Sequence, residues 1–325
     1  MCDYVSQGFL EKAYHDFPNI INLEVYRGAC PCACVHCPVG RSPLKERPER
    51  FGENTISLDM LKKVIDEMAQ WPHSTIRLHS VGEPILWPEL VPALRYISQS
   101  SVCCWLFTSL VTTDHALMEA LCRYSNIIEV SVNSIDAQDY QMTKGIDAFE
   151  LVEKNIAYMS DYIRREDLKT RLVVSRVQSD SQEQDDAFVR YWKASGQCAD
   201  AFVRKYHNYN NLLEEKNETS NKKNPCLVHW MRFNIAYDGT VVTCFNELFH
   251  KKLRDDVVLG TLQTNSIYEI WHSNAMKHLR ATELAGYEGS DYALDFPCRN
   301  CFSCQAYDGK RETSDHQIKV LRTEK

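Results

Sequence analysis

The chain has 325 residues, 44 acidic against 37 basic side chains and a formal charge of −7; 44% of residues are hydrophobic and 25% charged. These values fit a soluble globular protein of one large domain, or a large one plus a small one, and 12 Gly with 11 Pro exclude a fibrous or low-complexity chain. The acidic balance speaks against a long polyanion such as DNA as the main partner, and no apolar run reaches the roughly 18–20 residues that a bilayer span needs.

The first residues, MCDYVSQGFLEKAYHDF, have neither a basic nor an apolar signal region, so a cytoplasmic protein is expected. Ile20–Tyr26 reads as a first strand that runs into a cysteine-rich stretch. Ser57–Gln70 has helical spacing, with Leu58, Leu61, Val64, Ile65 and Met68 on one side. Strand-like Thr75–His79 then leads to Val81-Gly82-Glu83-Pro84. Helical Leu90–Ile97, strand Val102–Phe107, helix Asp114–Tyr124 and strand Ile127–Val132 follow. Helix Ala148–Arg164, strand Arg171–Val177, helix Gln184–Ser195 and strand Ala201–Tyr206 complete the alternation. Six strands alternating with helices predict a parallel sheet of βαβ units, either doubly wound or a partial barrel. Both place their chemistry at the C-terminal ends of the strands.

Asn208–Asn224 is polar and reads as a linker. Arg232–Ala236 and Thr240–Cys244, joined through Asp238-Gly239, predict a β-hairpin. Ser266–Thr282 reads as one helix, and the residues from Lys310 as a polar tail.

Fourteen cysteines stand out. Without a secretory signal, clustered cysteines read as metal ligands or catalytic thiols rather than disulfides. Cys30, Cys34 and Cys37 have the spacing C-x3-C-x2-C on the loop after the first strand. A cubane iron–sulfur cluster normally takes four thiolates, so three on one loop leave one iron open to a small molecule. Zinc is the alternative, with Cys32 or His36 as a fourth ligand.

With this motif the chain resembles the radical S-adenosylmethionine (SAM) superfamily over roughly residues 19–207. Cys30, Cys34 and Cys37 match its cluster motif, and His36 sits where that motif usually carries an aromatic residue. Val81-Gly82-Glu83-Pro84 resembles the Gly-Gly-Glu-Pro motif that holds the methionine amino group of SAM, with Val81 replacing the first glycine. Ser131, Asn133 and Arg176 lie where the family often contacts the ribose and carboxylate of SAM. The resemblance implies a partial (β/α)6 barrel, a [4Fe-4S] cluster, SAM, and an electron donor such as flavodoxin or ferredoxin.

A second set of cysteines, Cys226, Cys244, Cys298, Cys301 and Cys304, flanks the hairpin and a late loop. Five such residues can converge on one four-thiolate site, either a complete cubane or a structural zinc. With Asp238-Gly239, Leu259-Gly260 and the helix start at Ser266–Trp271, they resemble the SPASM and Twitch extensions of radical SAM enzymes, which implies an auxiliary [4Fe-4S] cluster. The expected organisation is an N-terminal extension (1–18), a partial barrel (19–207), a linker (208–224), a small α+β auxiliary-cluster domain (225–309) and a tail (310–325).

The resemblance further implies cleavage of SAM to a 5′-deoxyadenosyl radical and hydrogen abstraction from a substrate carbon. Three outcomes stay open: oxidation, epimerisation, and cross-linking or thioether formation in a peptide. The short stretch before Ile20 leaves no room for the leader-binding domain that peptide-modifying relatives often carry. That favours a small polar metabolite, such as a sugar or aminocyclitol, over a peptide with a separate leader-binding partner. A zinc-stabilised binding protein without SAM chemistry is the reading from another class. His79, Lys205 and His207, near strand ends, are candidates for proton transfer.

Overall fold

The computed structural model describes residues 16–71, 74–213 and 226–301. Strands β1 (Ile20–Arg27), β2 (Asn54–Thr55), β3 (Thr75–Val81), β4 (Cys103–Thr108), β5 (Ile127–Ser131), β6 (Arg171–Val177) and β7 (Asp200–Arg204) come first in the chain. All except β2 pair in parallel, in the order β1-β3-β4-β5-β6-β7. The short β2 pairs antiparallel with the end of β1.

The intervening helices are α1 (Pro38–Arg41), α2 (Arg47–Phe51), α3 (Leu58–Met68), α4 (Leu90–Ser98), α5 (His115–Tyr124), α6 (Ala137–Lys144), α7 (Phe149–Arg165) and α8 (Gln182–Ser195). Ser57, Asp114, Asp136 and Ser181 cap α3, α5, α6 and α8 by accepting a backbone N–H three residues on. Such caps contribute about 1 kcal/mol each. The helix stripes pack on one face of the sheet; α3 buries Leu61, Val64, Ile65 and Met68 against strand residues such as Leu23 and Leu78.

The other face is a lumen with its own apolar cluster of Ile20, Trp105, Ile127, Val173 and Phe202. Successive strand residues point to opposite faces, so the adjacent Cys103 and Cys104 separate as the alternation requires. Cys103 packs with the lumen cluster and Cys104 with the helix-side core. This is the partial barrel expected from the alternation of elements, and it selects that form over the doubly wound sheet.

The C-terminal region opens with α9 (Leu227–Met231), followed by strands β8 (Arg232–Ile235), β9 (Thr240–Val242) and β10 (Val258–Thr261). The hairpin turns at Gly239, whose φ of +87° is a left-handed conformation that glycine adopts without strain. Strand β8 pairs in parallel with β1, from Ile20 opposite Arg232 to Leu23 opposite Ile235, so the sheet continues as β10-β9-β8-β1. A buried ion pair fastens the same junction. Glu24 and Arg27 on β1 lie 2.8 Å apart. Glu24 accepts the Tyr237 backbone N–H, and Arg27 donates to the carbonyls of Phe51 and Leu248. Burial pushes the Glu24 carboxyl up to about 7, with Arg27 pulling against it.

The expected helix over Ser266–Thr282 is two helices, α10 (Ile267–Trp271) and α11 (Asn274–Leu284). Ser266 starts the first with a capping box, and Ser273 starts the second by accepting the Met276 N–H. The expected tail, Cys304, and most of the expected linker and N-terminal extension lie outside the described residues. Among the described residues no helix is long and apolar enough to cross a membrane.

Candidate metal centres

The loop after β1 is stitched to neighbouring elements at both ends. Gly28 N–H donates to the Val81 carbonyl at 3.0 Å, and Glu83 N–H to the Ala29 carbonyl at 3.0 Å. A Cβ on Gly82 would lie 2.9 Å from the Ala29 carbonyl oxygen, so the close approach of β3 to the loop needs glycine there. Val81, where the family pattern has glycine, is fully buried in an apolar cluster with Val39, Phe51 and Leu248 beneath the loop. Further along, the Ala33 and Val35 N–H groups donate to the Lys144 and Thr143 carbonyls at the end of α6. Cys37 then caps α1 through its carbonyl, which accepts the Arg41 N–H at 2.9 Å.

The thiols of this loop interact with one another. Hydrogen bonding to Cys30 pushes the Cys32 thiol up to about 11, and hydrogen bonding to Cys32 followed by burial does the same to Cys34. Burial raises Cys37 to about 11. The His36 side chain hydrogen-bonds Cys34 and pulls the other way. A metal bound by such thiols displaces their protons. Cys32 thus takes part in the same thiol network, between Cys30 and Cys34.

Lys144 supplies the counter-charge and was not anticipated from sequence. It is 2% exposed, and its ammonium donates to the Ser131 carbonyl at 2.7 Å. Burial acts to lower it, but Cys34, Cys32, Tyr140 and Cys30 prevail and raise it. The buried Tyr140 hydroxyl of α6 has no partner among the described residues.

Glu83 is also buried. It accepts Ser109 N–H at 2.8 Å, the Ser109 hydroxyl, and Ile85 N–H at 3.4 Å. Pro84 starts the short turn that follows. Ser131 lies on the lumen side of β5, beside Lys144. Asn133, at φ +70°, donates to Ser131 Oγ at 2.9 Å and accepts Val177 N–H at 2.6 Å. These residues gather round the cysteine loop.

Arg176 does not join them. It shares a strand face with Leu172 and Val174, which belong to the helix-side core. There it pairs with Asp185 of α8 at 3.1 Å, donates to the Gln184 carbonyl at 3.1 Å and covers the Phe188 ring. The expectation that Arg176 contacts SAM therefore fails on strand parity, because Ser175 and Val177 occupy the other face.

The second set of cysteines comes from three places in the chain. Cys226 precedes α9, Cys244 follows β9, and Cys298 and Cys301 belong to a 3-10 turn, Pro297–Asn300, and its cap. Burial raises the Cys298 thiol, and Cys244, Cys301, Glu283 and Cys226 add to the shift. The four thiols thus share one neighbourhood. Among the described residues no three His, Cys, Asp or Glu side chains converge in the manner a single metal ion requires. A four-iron cubane differs in that it spreads its four thiolates over different irons.

The residue after Cys244 also reaches the lumen. His79 stacks on Phe107 at 4.2 Å and meets the tilted ring of Phe245, the residue after Cys244, at 4.7 Å. Arg77 lies 4.7 Å over the Trp105 ring, and Arg204 pairs with the buried Glu129 through both nitrogen–oxygen contacts. Burial, then Arg77, Arg204 and Arg232, hold His79 well below its usual value. Burial with Arg232, Lys205 and Arg204 lowers His207 to about 3.

A parallel partial barrel with a thiol loop beyond β1 and a second thiol set beyond β9 defines an iron–sulfur enzyme of the α/β-barrel class. The radical SAM superfamily model matches residues 26–189, half of the chain, and the chain belongs to that superfamily. Residues 226–302 match SPASM, an iron-sulfur cluster-binding domain. The protein is a radical SAM enzyme with a SPASM domain; its cofactors are a [4Fe-4S] cluster, SAM and auxiliary iron–sulfur.

No curated protein matches the chain. Among solved structures it is similar to BtrN in complex with AdoMet and 2-DOIA, at 17% identity and a TM-score of 0.54, covering 89% of this chain and 96% of that one. Streptococcus suis SuiB bound to precursor peptide SuiA is 12% identical with a TM-score of 0.63, covering 86% and 71%. anSMEcpe with bound AdoMet is 13% identical with a TM-score of 0.60, covering 94% and 96%. At these identities the likeness is one of fold.

Proposed function

We propose that the enzyme abstracts hydrogen from a carbon of a small polar metabolite, of the sugar or aminocyclitol kind, and completes a net oxidation or an epimerisation. In this reading Cys30, Cys34 and Cys37 hold the SAM-binding cluster, and Cys226, Cys244, Cys298 and Cys301 the auxiliary one. When bound, these groups supply radical formation from SAM and a centre for electron exchange; the chain supplies position, shielding and counter-charge. A flavodoxin or ferredoxin in a reducing cytoplasm suits described cysteines that are all free thiols.

Lys144 supplies a buried positive charge beside the loop thiols. Gly82 and the Glu83 turn offer backbone beside it, and Ser131 with Asn133 offers polar lining. Trp105, Phe107 and Phe202 exclude water from the lumen, where a reactive intermediate must be shielded. Burial and the surrounding arginines keep His79 neutral and disfavour its protonation, which speaks for a packing role on the lumen wall rather than for proton transfer.

The observation that carries the proposal is the contact of Phe245 with His79, which puts the Cys244 turn on the lumen itself. A substrate seated in the lumen would then border the Cys244 turn, as electron exchange with an auxiliary centre needs. The β1–β8 pairing joins the barrel and the C-terminal region in one sheet. Peptide modification is the second reading. Structures of this fold hold both kinds of ligand, BtrN with 2-DOIA and SuiB with a precursor peptide.

The test is anaerobic turnover with SAM and a reductant, with 5′-deoxyadenosine measured against a panel of aminocyclitols, sugars and precursor peptides. The proposal expects a small polyol or aminocyclitol to stimulate release and to yield a product changed by two mass units or by stereochemistry alone. Stimulation by peptides only would transfer the assignment to peptide modification.

A further inference from the structure

The second thiol site contains a side-chain arrangement that the ligand assignment does not use. Glu283 on α11 is 7% exposed, and its carboxylate meets three nitrogens from one short stretch of chain. These are the Cys226 backbone N–H at 2.9 Å, Trp230 Nε1 at 3.1 Å and His229 Nδ1 at 3.1 Å. Arg280, one turn earlier on the same helix, donates Nε to the His229 carbonyl at 2.9 Å and Nη1 to the Trp271 carbonyl at 3.1 Å. Its guanidinium lies 3.9 Å over the Trp271 ring. His229 is 2% exposed, so both its backbone and its ring are fixed.

With Nδ1 on the carboxylate, Nε2 of His229 faces the Cys298 sulfur at 3.5 Å. A cysteine that ligates iron does so as a thiolate. The ring then stands between two acceptors, a carboxylate and a sulfur, and as the imidazolium cation it donates to each. A hydrogen bond to a ligand sulfur draws negative charge away from the metal, and such bonds are among the determinants of iron–sulfur reduction potentials. We propose that His229, oriented by Glu283, donates a hydrogen bond to the Cys298 sulfur and raises the reduction potential of the auxiliary cluster, making it a better electron acceptor. His229 touches no substrate in this role; it is a positioning residue acting through Cys298. The inference rests on Cys298 being an auxiliary-cluster ligand.

The experiment is an EPR-monitored redox titration of the reconstituted full-length chain. The background carries Cys30→Ala, Cys34→Ala and Cys37→Ala, so only the auxiliary cluster contributes. About four irons in this background establish the cluster; their absence would overturn the ligand assignment itself, separately from the inference. In that background His229→Leu is expected to lower the midpoint potential. The cluster should be about tenfold less reduced at a fixed ambient potential, ~59 mV for a one-electron couple. His229→Gln, whose amide N–H reaches the same sulfur, is expected to restore most of the shift, and Glu283→Gln to give a smaller shift in the same direction. If His229→Leu fails to load iron, the comparison of Glu283→Gln and His229→Gln with the parent decides. Unchanged potentials in the iron-loaded variants, or an equal fall in His229→Gln and His229→Leu, would overturn the proposal.

Discussion

The two thiol sites are built in opposite ways. Cys30, Cys34 and Cys37 come from one loop of eight positions, and main-chain bonds from Val81, Thr143 and Lys144 hold that loop in place. Cys226, Cys244, Cys298 and Cys301 come from segments far apart in sequence, gathered by α9, the hairpin and the Glu283–Arg280 pair of α11. The first site depends on local backbone shape and one buried cation. The second depends on long-range packing against the barrel. Substitutions should therefore separate them.

The largest expected effect is at the first site. Cys34→Ala should abolish reductive release of 5′-deoxyadenosine, whereas Cys226→Ala should keep SAM cleavage and lose product formation. Full turnover in Cys226→Ala would remove the auxiliary reading. Next comes the loop backbone. A Cβ on Gly145, at φ +69°, would sit 2.7 Å from the Ala33 Cβ and 2.8 Å from the Ala33 carbonyl oxygen. Gly145→Val should lower iron from about eight per chain toward about four. The iron retained should be the auxiliary cluster, with its EPR signal intact.

The junction between the regions ranks third. Arg27→Ala leaves the fully buried Glu24 without its cation, so its carboxyl, already pushed up to about 7, takes up a proton. The loss then stays below the ~3–5 kcal/mol of a buried pair broken with its charge retained. Chemical denaturation should show the loss, with the hairpin and barrel unfolding together because they share one sheet; two separate transitions would contradict the shared-sheet account. The smallest effect is on pH dependence. Burial raises the folded-state carboxyl of Glu24 from 4.5 to about 7, so the folded protein binds the proton more tightly than the unfolded chain. That contribution is fully present below about 4.5 and is lost as pH rises through 7. Glu24→Gln should flatten the fall in melting temperature across this window, and an unchanged slope would assign it to other groups.

The same contrast explains what could be read from sequence. Strands β1 and β3 to β7 were legible because each is a short apolar run between helical stripes. The thiol loop was legible because its ligands are adjacent. Helix α6 was not, since Ala137–Lys144 has no apolar stripe and buries only Tyr140 and Lys144. Lys144 was missed with it, because nothing local marks a lysine as buried.

Arg176 was misassigned for a different reason. In a strand apolar on both faces, sequence does not say which parity meets the lumen; Leu172 and Val174 decide it by joining the helix core. The division of Ser266–Thr282 carries no Gly or Pro to announce it, only Ser273 as a cap. The pairing of His229 with Glu283 spans 54 positions and leaves no periodic trace.

The most direct test of two independent centres is iron and zinc content per chain after anaerobic reconstitution, in the wild type, Cys34→Ala and Cys226→Ala. The account predicts about eight irons in the wild type and about four in each variant, with negligible zinc. About four irons in the wild type, or zinc at the Cys226 site, would contradict it.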